Sequence, residues 1–175
     1  MEILETERLI LRPPSVEHDA EAFAALMSDA IARWTGSWSG TTTPDEVARR
    51  IETYLETEAR GFAFNRTAVI KATGEAIGVI GVRRLDAEPG RGAIGYWIGE
   101  PFFGKGYTGE AARAILDAAW DILPVDLIEG VAQLPNTASR RILSSLGMTE
   151  VGERMEFASA RGAADLCAVY EIKRP

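Results

Sequence analysis

The chain has 175 residues, of which 46% are hydrophobic and 26% are charged, so it can bury one sizeable core and has little room for a second. We therefore expect a single domain over residues 1–175. Its 19 Lys and Arg and 26 Asp and Glu give a net charge of −7, which argues against a protein that binds nucleic acid through a basic face. One Cys and one His cannot form an internal disulfide or a Cys/His zinc site, so no bound metal is expected.

The N-terminal segment does not have the composition of a targeting signal. Its sequence MEILETERL is acidic, whereas a secretory signal peptide begins with basic residues. No apolar run approaches the roughly 20 residues that a membrane span requires. We expect a cytoplasmic protein whose partners include neither membrane nor nucleic acid.

The first elements are a strand and a helix, followed by an aromatic loop. Alternating apolar and charged residues predict a strand over Arg8–Pro14, and Ser15 is a suitable cap for the helix that follows. The segment Arg33–Thr43 is rich in Gly, Ser and Thr but holds Trp34 and Trp38. Such a loop must rest its aromatic rings on a surface, and it could form the floor of a substrate cleft.

A second helix and three strands follow. Thr43, with Pro and Glu behind it, forms a capping box, and Gly61 is a suitable stop for that helix. Three segments are rich in residues that favour β-strands: Phe62–Lys71, Ala76–Arg84 and Ala93–Gly99. Short turns separate them, so they predict an antiparallel meander.

The second half alternates helices and strands. An Ala-rich helix over Glu110–Leu123 precedes a strand over Val125–Gln133. This crossover makes the new strand parallel to the one before the helix. A helix over Asn136–Leu146 follows, and Thr149–Phe157 and Leu166–Lys173 predict a final antiparallel pair.

A glycine cluster, GKGYTG at Gly104–Gly109, is the strongest candidate for a binding site. A glycine-rich turn that leads into a helix presents free backbone N–H groups to an anion, and side chains there would hold a phosphate away. The helix dipole contributes only about 0.3–1 kcal/mol at an exposed site, so several converging N–H bonds must supply the affinity.

Three other interpretations of this cluster stay open. It fits G-x-G-x-x-G, with Asp126 or Glu129 about 20 residues later, as in dinucleotide-binding folds. The 42 residues after Gln133 are too few for the rest of such a sheet. GEPFFGKG fits the spacing of a nucleoside-triphosphate loop, but Gly106 replaces the Ser or Thr that holds Mg²⁺. The third is a glycine turn without a ligand.

Four segments stand out in one order along nearly the whole chain. They are TERLILRPP (Thr6–Pro14), IGYWIG (Ile94–Gly99), FFGKGYTGEA (Phe102–Ala111) and NTASRRILSSLGM (Asn136–Met148). In this order and spacing the chain resembles the GCN5-related N-acetyltransferase (GNAT) superfamily, and within it the RimJ/RimL branch that acetylates ribosomal proteins.

The resemblance implies an α/β fold with a mixed, mostly antiparallel central sheet of about seven strands flanked by helices. Two parallel strands, ending near Gly99 and Gln133, would splay apart and receive the pantetheine arm of acetyl-CoA. Such an exposed strand edge can pair with an extended, amide-bearing ligand. A β-bulge at the splay would aim an N–H at the thioester carbonyl.

The resemblance also implies the residues that bind the cosubstrate. Backbone groups of the first splayed strand would pair with the pantetheine amides, backbone groups of the glycine turn would hold the pyrophosphate, and an Asn would bind the pantetheine. In chain order these are Trp97, Ile98, Gly99, Gly104, Lys105, Gly106, Tyr107, Thr108, Gly109 and Asn136.

The implied reaction is direct attack of a neutral primary amine on acetyl-CoA, with a protein N-terminal α-amine or a small-molecule amine as the acceptor. Ser139 matches the family serine near the thioester sulfur, and Glu129 is a candidate base acting through water. Ala93 replaces an acid and Leu143 a tyrosine found in many relatives. A non-catalytic acyl-CoA-binding module therefore stays an alternative, and a homodimer stays open.

Overall fold

The computed structural model describes residues 2–85 and 88–175, which form five helices and eight strands. The helices are α1 (Val16–Leu26), α2 (Asp29–Ala32), α3 (Pro44–Ala59), α4 (Tyr107–Ile122) and α5 (Thr137–Ser145). The strands are β1 (Leu4–Glu5), β2 (Leu9–Arg12), β3 (Ala63–Ile70), β4 (Ala76–Arg84), β5 (Arg91–Ile98), β6 (Leu127–Gln133), β7 (Thr149–Ala158) and β8 (Ala163–Lys173). A 3-10 turn covers Glu100–Phe102.

The strands form one mixed sheet in the order β1-β2-β3-β4-β5-β6-β8-β7. Within the described part of the chain, β5 and β6 are the only parallel neighbours, and the other pairs are antiparallel. The predicted fold class is therefore confirmed. Among the described residues, every helix is too short or too polar to cross a bilayer.

Some boundaries differ from the sequence prediction. An eighth strand exists because Leu4–Glu5 pairs with β2. Helix α4 begins at Tyr107, not at Glu110, because Gly106 takes a left-handed conformation (φ +81°) and its carbonyl already accepts a bond from the Glu110 N–H at 3.1 Å. Strand β8 begins at Ala163, so the turn before it is shorter than predicted.

The parallel pair splays as the resemblance implies. Paired residues run from Arg91 and Leu127 to Ile94 and Gly130, where the pairing stops. Beyond that point β5 stays paired with β4 as far as Ile98, and β6 stays paired with β8 as far as Gln133. The two strands therefore diverge because each continues along its outer neighbour.

The prediction of a β-bulge at the splay is wrong, and an irregularity lies instead between β3 and β4. The β4–β5 register is continuous, whereas the β3–β4 register shifts between Ala68 and Val69, which leaves Ile77 of β4 unpaired with β3. Next to it, a Cβ on Gly78 would lie 2.2 Å from the Trp97 carbonyl oxygen. Only glycine allows this close approach of β4 to β5.

Two hydrophobic cores lie on opposite sides of the sheet. Helices α4 and α5 pack with Ile94, Ile98 and Ile128 on one side, which we call the α4 face. Helices α1 and α3 pack with Val79 and Trp97 on the other side, the α1 face. Alternate residues of a strand point to opposite faces, so consecutive residues of β5 serve different sides of the molecule.

A buried carboxylate fixes α1 to the sheet. Asp19 is fully buried and accepts two bonds from the Arg12 guanidinium, at 2.6 and 2.9 Å. It also accepts bonds from the Ser15 N–H at 2.8 Å and the Thr67 hydroxyl at 2.7 Å. With all these donors in place the buried charge is satisfied.

Replacing Asp19 with Asn should lower the free energy of unfolding by about 3 kcal/mol, because it leaves the half-buried Arg12 guanidinium without its ion partner. Urea denaturation measures the change. Glu17→Gln, at an exposed position of the same helix, is the control and should shift stability by less than about 0.5 kcal/mol. Equal stabilities for the two variants would contradict the role given to Asp19.

Candidate active site

The divergence of β5 and β6 leaves main-chain groups of β5 without a strand partner. The Gly99 N–H donates to the Ile77 carbonyl at 2.8 Å and the Leu85 N–H to the Arg91 carbonyl at 2.9 Å. In an antiparallel ladder the alternate residues face the other edge. The N–H and C=O of Tyr96 and Ile98 therefore face the opening, whereas those of Trp97 and Gly99 face β4.

The start of α4 lies beyond the end of β5 and has free N–H groups. Gly104 and Gly106 have φ values of +73° and +81°, which turn the chain into the helix. The helix has no side-chain cap, whereas α1, α3 and α5 each have one. The N–H groups of Tyr107, Thr108 and Gly109 in the first turn consequently lack helical partners, and this end is suited to an anion.

The N-terminal segment braces this glycine turn. The Glu110 carboxylate accepts bonds from the Thr6 hydroxyl and from the Arg8 N–H and Nε–H, the last two at 2.8 and 2.7 Å. The Arg8 guanidinium donates to the Lys105 carbonyl at 2.8 Å and lies 4.6 Å from the centre of the Tyr107 ring. The roles of Arg8 and Glu110 were not predictable from the sequence, because no local pattern links two positions that lie 102 residues apart.

The start of helix α5 holds two of the predicted residues, Asn136 and Ser139. Asn136 caps the helix, and its Oδ1 accepts a bond from the Ser139 N–H at 3.1 Å. Among the described residues, no acceptor bonds its Nδ2. The Ser139 hydroxyl lies 2.9 Å from the Tyr96 hydroxyl, so the α4 face of β5 contacts α5 across the opening.

Tyr96 is the residue that sequence reasoning missed at this point. Burial raises the pKa of Tyr96 to about 12, although its hydrogen bond with Ser139 acts in the opposite direction. The phenol therefore keeps its proton at neutral pH and can donate a hydrogen bond to Ser139. Tyr96 lies in the IGYWIG segment, and strand alternation alone could have assigned its side chain to the same face as Ile94 and Ile98.

Glu129 lies on the α1 face, on the side of the sheet opposite to Ser139. Its side chain is 3% exposed. Its carboxylate accepts bonds from both terminal nitrogens of Arg154, one of them at 3.1 Å, and a longer one from Arg91 at 3.4 Å. Arg91 in turn bonds Glu171. The two predicted catalytic side chains are thus not brought together.

Opposing effects act on the pKa of Glu129. Burial raises it, but the hydrogen bonds and charge of Arg154, with the charge of Arg91, outweigh burial and leave the pKa below its ordinary value. Glu129 is ionised at neutral pH. Across the parallel pair its register partner is Ala93, so a carboxylate stands on β6 beside the position where β5 lacks one.

Comparisons with known proteins identify the family and the fold. The family described as Acetyltransferase (GNAT) domain matches residues 8–149. The chain belongs to the GNAT acetyltransferase family. An uncharacterized N-acetyltransferase, p20 of Bacillus licheniformis, is 31% identical over 162 residues, which cover 93% of this chain and 90% of that protein. The chain is thus an N-acetyltransferase, as its sequence predicts.

Solved GNAT structures share the fold. A ribosomal-protein-S5-alanine acetyltransferase from Vibrio fischeri has a TM-score of 0.84 and 21% identity, with all of both chains covered. Mycobacterium smegmatis RimJ, in complex with a CoA-disulfide, has a TM-score of 0.81 and 20% identity, covering 94% of this chain and 81% of that one. These neighbours belong to the predicted RimJ/RimL branch, and the doubly wound parallel sheet of the dinucleotide interpretation is not the sheet observed.

Replacing Glu110 with Gln should weaken acetyl-CoA binding about fivefold, because the glycine turn loses the ionic brace that preorganises its N–H groups. Isothermal titration calorimetry measures the affinity. Asp117→Asn, an exposed acid of the same helix, is the control. An unchanged affinity for the Glu110 variant would show that the N-terminal brace does not serve this turn.

Replacing Glu129 with Gln should lower the free energy of unfolding by about 2 kcal/mol at pH 7. Because the folded pKa lies below the ordinary value of 4.5, this contribution is complete above that value and is lost as pH falls through the folded pKa. The difference from the natural chain should therefore shrink below pH 4.5, as measured by urea denaturation. Glu153→Gln, exposed on β7, is the control, and a difference independent of pH would refute the ion-pair account.

Proposed function

We propose that residues 1–175 form one acetyltransferase domain that transfers an acetyl group from acetyl-CoA to a neutral primary amine. The acceptor is a protein N-terminal α-amine or a small-molecule amine. The observation that carries this proposal is the unpaired end of β5, with free main-chain groups at Tyr96 and Ile98, next to the uncapped start of α4. An extended chain with amide groups can pair with the free edge of β5, and the anionic end of the same molecule can bind at the start of α4.

The cosubstrate would lie along the edge of β5, with its pantetheine amides paired to the main-chain groups of Tyr96 and Ile98. Of the predicted Trp97, Ile98 and Gly99, only Ile98 fits this role, because the main-chain groups of Trp97 and Gly99 face β4. The Asn136 Nδ2, which no described residue engages, would donate to the pantetheine. The pyrophosphate would accept bonds from the amides of Gly104, Lys105, Gly106, Tyr107, Thr108 and Gly109.

The chemistry divides between the two faces of the sheet. The amine nitrogen attacks the thioester carbon, a tetrahedral intermediate forms, and the carbon–sulfur bond breaks to release a thiolate. The Tyr96 phenol would pass its proton to Ser139 as the Ser139 hydroxyl gives its own proton to that thiolate, and the phenolate would regain a proton from water. Leu143 replaces the tyrosine that many relatives have. Tyr96 would therefore supply the phenol in this protein.

On the other face, Glu129 would act as the base through a water molecule. Its lowered pKa keeps it ionised and also makes it a weak base, so the acceptor must lose its proton readily. At pH 7 a terminal α-amine, with a pKa near 7.7–8.0, is neutral in about one molecule in ten, whereas a lysine near 10.4 is neutral in about one in 2,500. This difference favours an α-amine acceptor.

The relatives support the same class of acceptor. One structural neighbour, from Salmonella typhimurium, modifies the N-terminal serine of ribosomal protein L7/L12, and a protein N-terminus of that kind is one of the two acceptors that we propose. A second copy of the chain as partner, and a cytoplasmic location, stay predictions.

Release of free thiol from acetyl-CoA, assayed with peptides that have free N-termini and with polyamines, tests the function. We expect turnover with at least one class of amine, and a fall in kcat of roughly 10²-fold for Ser139→Ala without a change in acetyl-CoA affinity, because the variant loses only the proton donor. Tight cofactor binding without turnover on the whole panel would instead support a non-catalytic acyl-CoA-binding module.

Two variants of Asn136 separate its binding role from its cap. Asn136→Ala loses both, whereas Asn136→Ser keeps a good helix cap and lacks the amide donor. We expect both to weaken acetyl-CoA binding about tenfold by calorimetry, and only the Ala variant to lose about 1 kcal/mol of stability. Natural affinity in the Ser variant would contradict the placement of the pantetheine.

A further inference from the structure

Strand β7 lies at one end of the sheet and has an open outer edge. It is the last strand in the sheet order, and its described partners all belong to β8. Most of its ten residues are exposed. Proteins commonly block such an edge with Lys, Pro or a bulge. The sequence of β7, TEVGERMEFA, has no Lys or Pro, and its one bulge, between Glu150 and Gly152, leaves the following residues in regular register.

The register of β8 shows which main-chain groups of β7 are open. The Leu134 N–H donates to the Leu166 carbonyl at 3.1 Å, so the main chain of Leu166 faces β6. The next residue, Cys167, therefore faces β7, where its register partner is Arg154. The residues of β7 that alternate with Arg154 turn their N–H and C=O groups outward, and no described residue bonds them. They are Glu153, Met155 and Phe157.

The same part of β7 exposes apolar side chains. Met155 is 60% exposed and Phe157 68% exposed, and Leu166, the register partner of Met155 on β8, is 43% exposed. Alternate residues and register partners share a face of the sheet. The three side chains therefore form one apolar patch that borders the open edge.

We propose that β7 of a second copy of this chain pairs antiparallel with β7, with the two-fold axis at Met155, so that one sheet runs through both copies. Met155 then exchanges both of its main-chain bonds with Met155 of the second copy, and Glu153 does so with Phe157 of the second copy. The apolar patches of the two copies meet across the axis. The interface is isologous and leaves neither β7 edge open.

Charge complementarity selects this register. Arg154 and Glu156 lie on the other face of β7, with 42% and 41% of their side chains exposed. An axis at Met155 places Arg154 of each copy opposite Glu156 of the other, in non-hydrogen-bonded pairs, where facing Cα atoms are about 4.5 Å apart. An axis one residue away places Arg154 or Glu156 opposite itself, and an axis at Glu153 places two Glu153 carboxylates opposite each other. Like charges directly opposite are destabilising.

An axis further along β7 is excluded by the end of the strand. The N–H groups of Arg161 and Gly162 donate to the Ala158 carbonyl at 3.0 and 2.9 Å, which turns the chain back towards β8. The Ala160 N–H donates to the Gly36 carbonyl at 3.1 Å. With the axis at Phe157, pairing would therefore stop one residue beyond the axis, so Met155 is the centre that leaves the most residues paired.

Sedimentation velocity of the full chain over a range of concentrations tests the interface. We expect a dimer, and Glu156→Arg should raise its dissociation constant at least about tenfold, because the new side chain faces Arg154 of the second copy. Glu52→Arg, the same charge change at an exposed position of α3, should leave the constant unchanged. Met155→Pro removes the N–H at the axis but none that bonds β8. It should be a monomer with the circular dichroism of the natural chain.

Oxidative cross-linking tests the register. Met155→Cys should form a disulfide between two copies, because facing residues of a hydrogen-bonded pair have Cα atoms about 5.5 Å apart. Glu153→Cys should not, since it faces Phe157 of the second copy. The natural chain, whose Cys167 is buried, is the control for both.

A natural chain that stays monomeric at all concentrations would overturn the proposal. So would a dimer whose dissociation constant is the same in Glu156→Arg and in Met155→Pro, because its interface would lie elsewhere. A disulfide in Glu153→Cys and none in Met155→Cys would refute the register. These measurements need no acceptor amine, so they decide the interface even if the proposed function fails.

Discussion

The fold of the site depends on one interruption of backbone pairing, at Ile94 and Gly130. Up to that pair the main-chain groups of β5 and β6 pair with each other. Beyond it each strand stays hydrogen-bonded only to its outer neighbour, β4 or β8. The close approach of Gly78 to the Trp97 carbonyl holds β5 against β4. The edge that opens is therefore already extended along β4, so its polar groups at Tyr96 and Ile98 need no new strand to form before a ligand binds.

This interruption also separates the chemistry into two sides. Consecutive residues of β5 point in opposite directions, so Tyr96 contacts Ser139 on the α4 face while Trp97 packs with Phe23 on the α1 face. In the proposed reaction, the leaving thiolate and the incoming amine would therefore meet different side chains. Ala93 of β5 stands where many relatives have an acid, and its register partner on β6 is Glu129. A carboxylate is therefore present on the neighbouring strand.

The sequence predicted features that rest on local signals. The capping box at Thr43, the left-handed stop at Gly61 and the crossover between β5 and β6 were all readable from residue spacing. The splay and the binding residues were predicted only from the resemblance of the motifs to a known family, because no local pattern indicates where a parallel ladder ends. The order of the four segments was enough for the family.

Contacts between distant positions were not predictable in this way. Glu110 bonds Thr6 and Arg8 across more than 100 positions, and the two guanidinium partners of Glu129 come from β5 and β7. An acid in a strand is equally consistent with solvent exposure, and only the tertiary arrangement decides its pKa. The start of α4 was placed late because glycine lowers helix propensity, whereas here Gly106 precedes the helix and Gly109 lies in its first turn.

Residue-resolved amide hydrogen exchange, followed by NMR with and without acetyl-CoA, tests the central claim most directly. Without the cosubstrate, the amides of Tyr96 and Ile98 should exchange much faster than that of Trp97, which faces β4. Saturating acetyl-CoA should slow the first two by at least about tenfold and leave Trp97 unchanged. Equal protection of all three amides without the cosubstrate, or no response of Tyr96 and Ile98 to it, would contradict an open strand edge that receives the pantetheine arm.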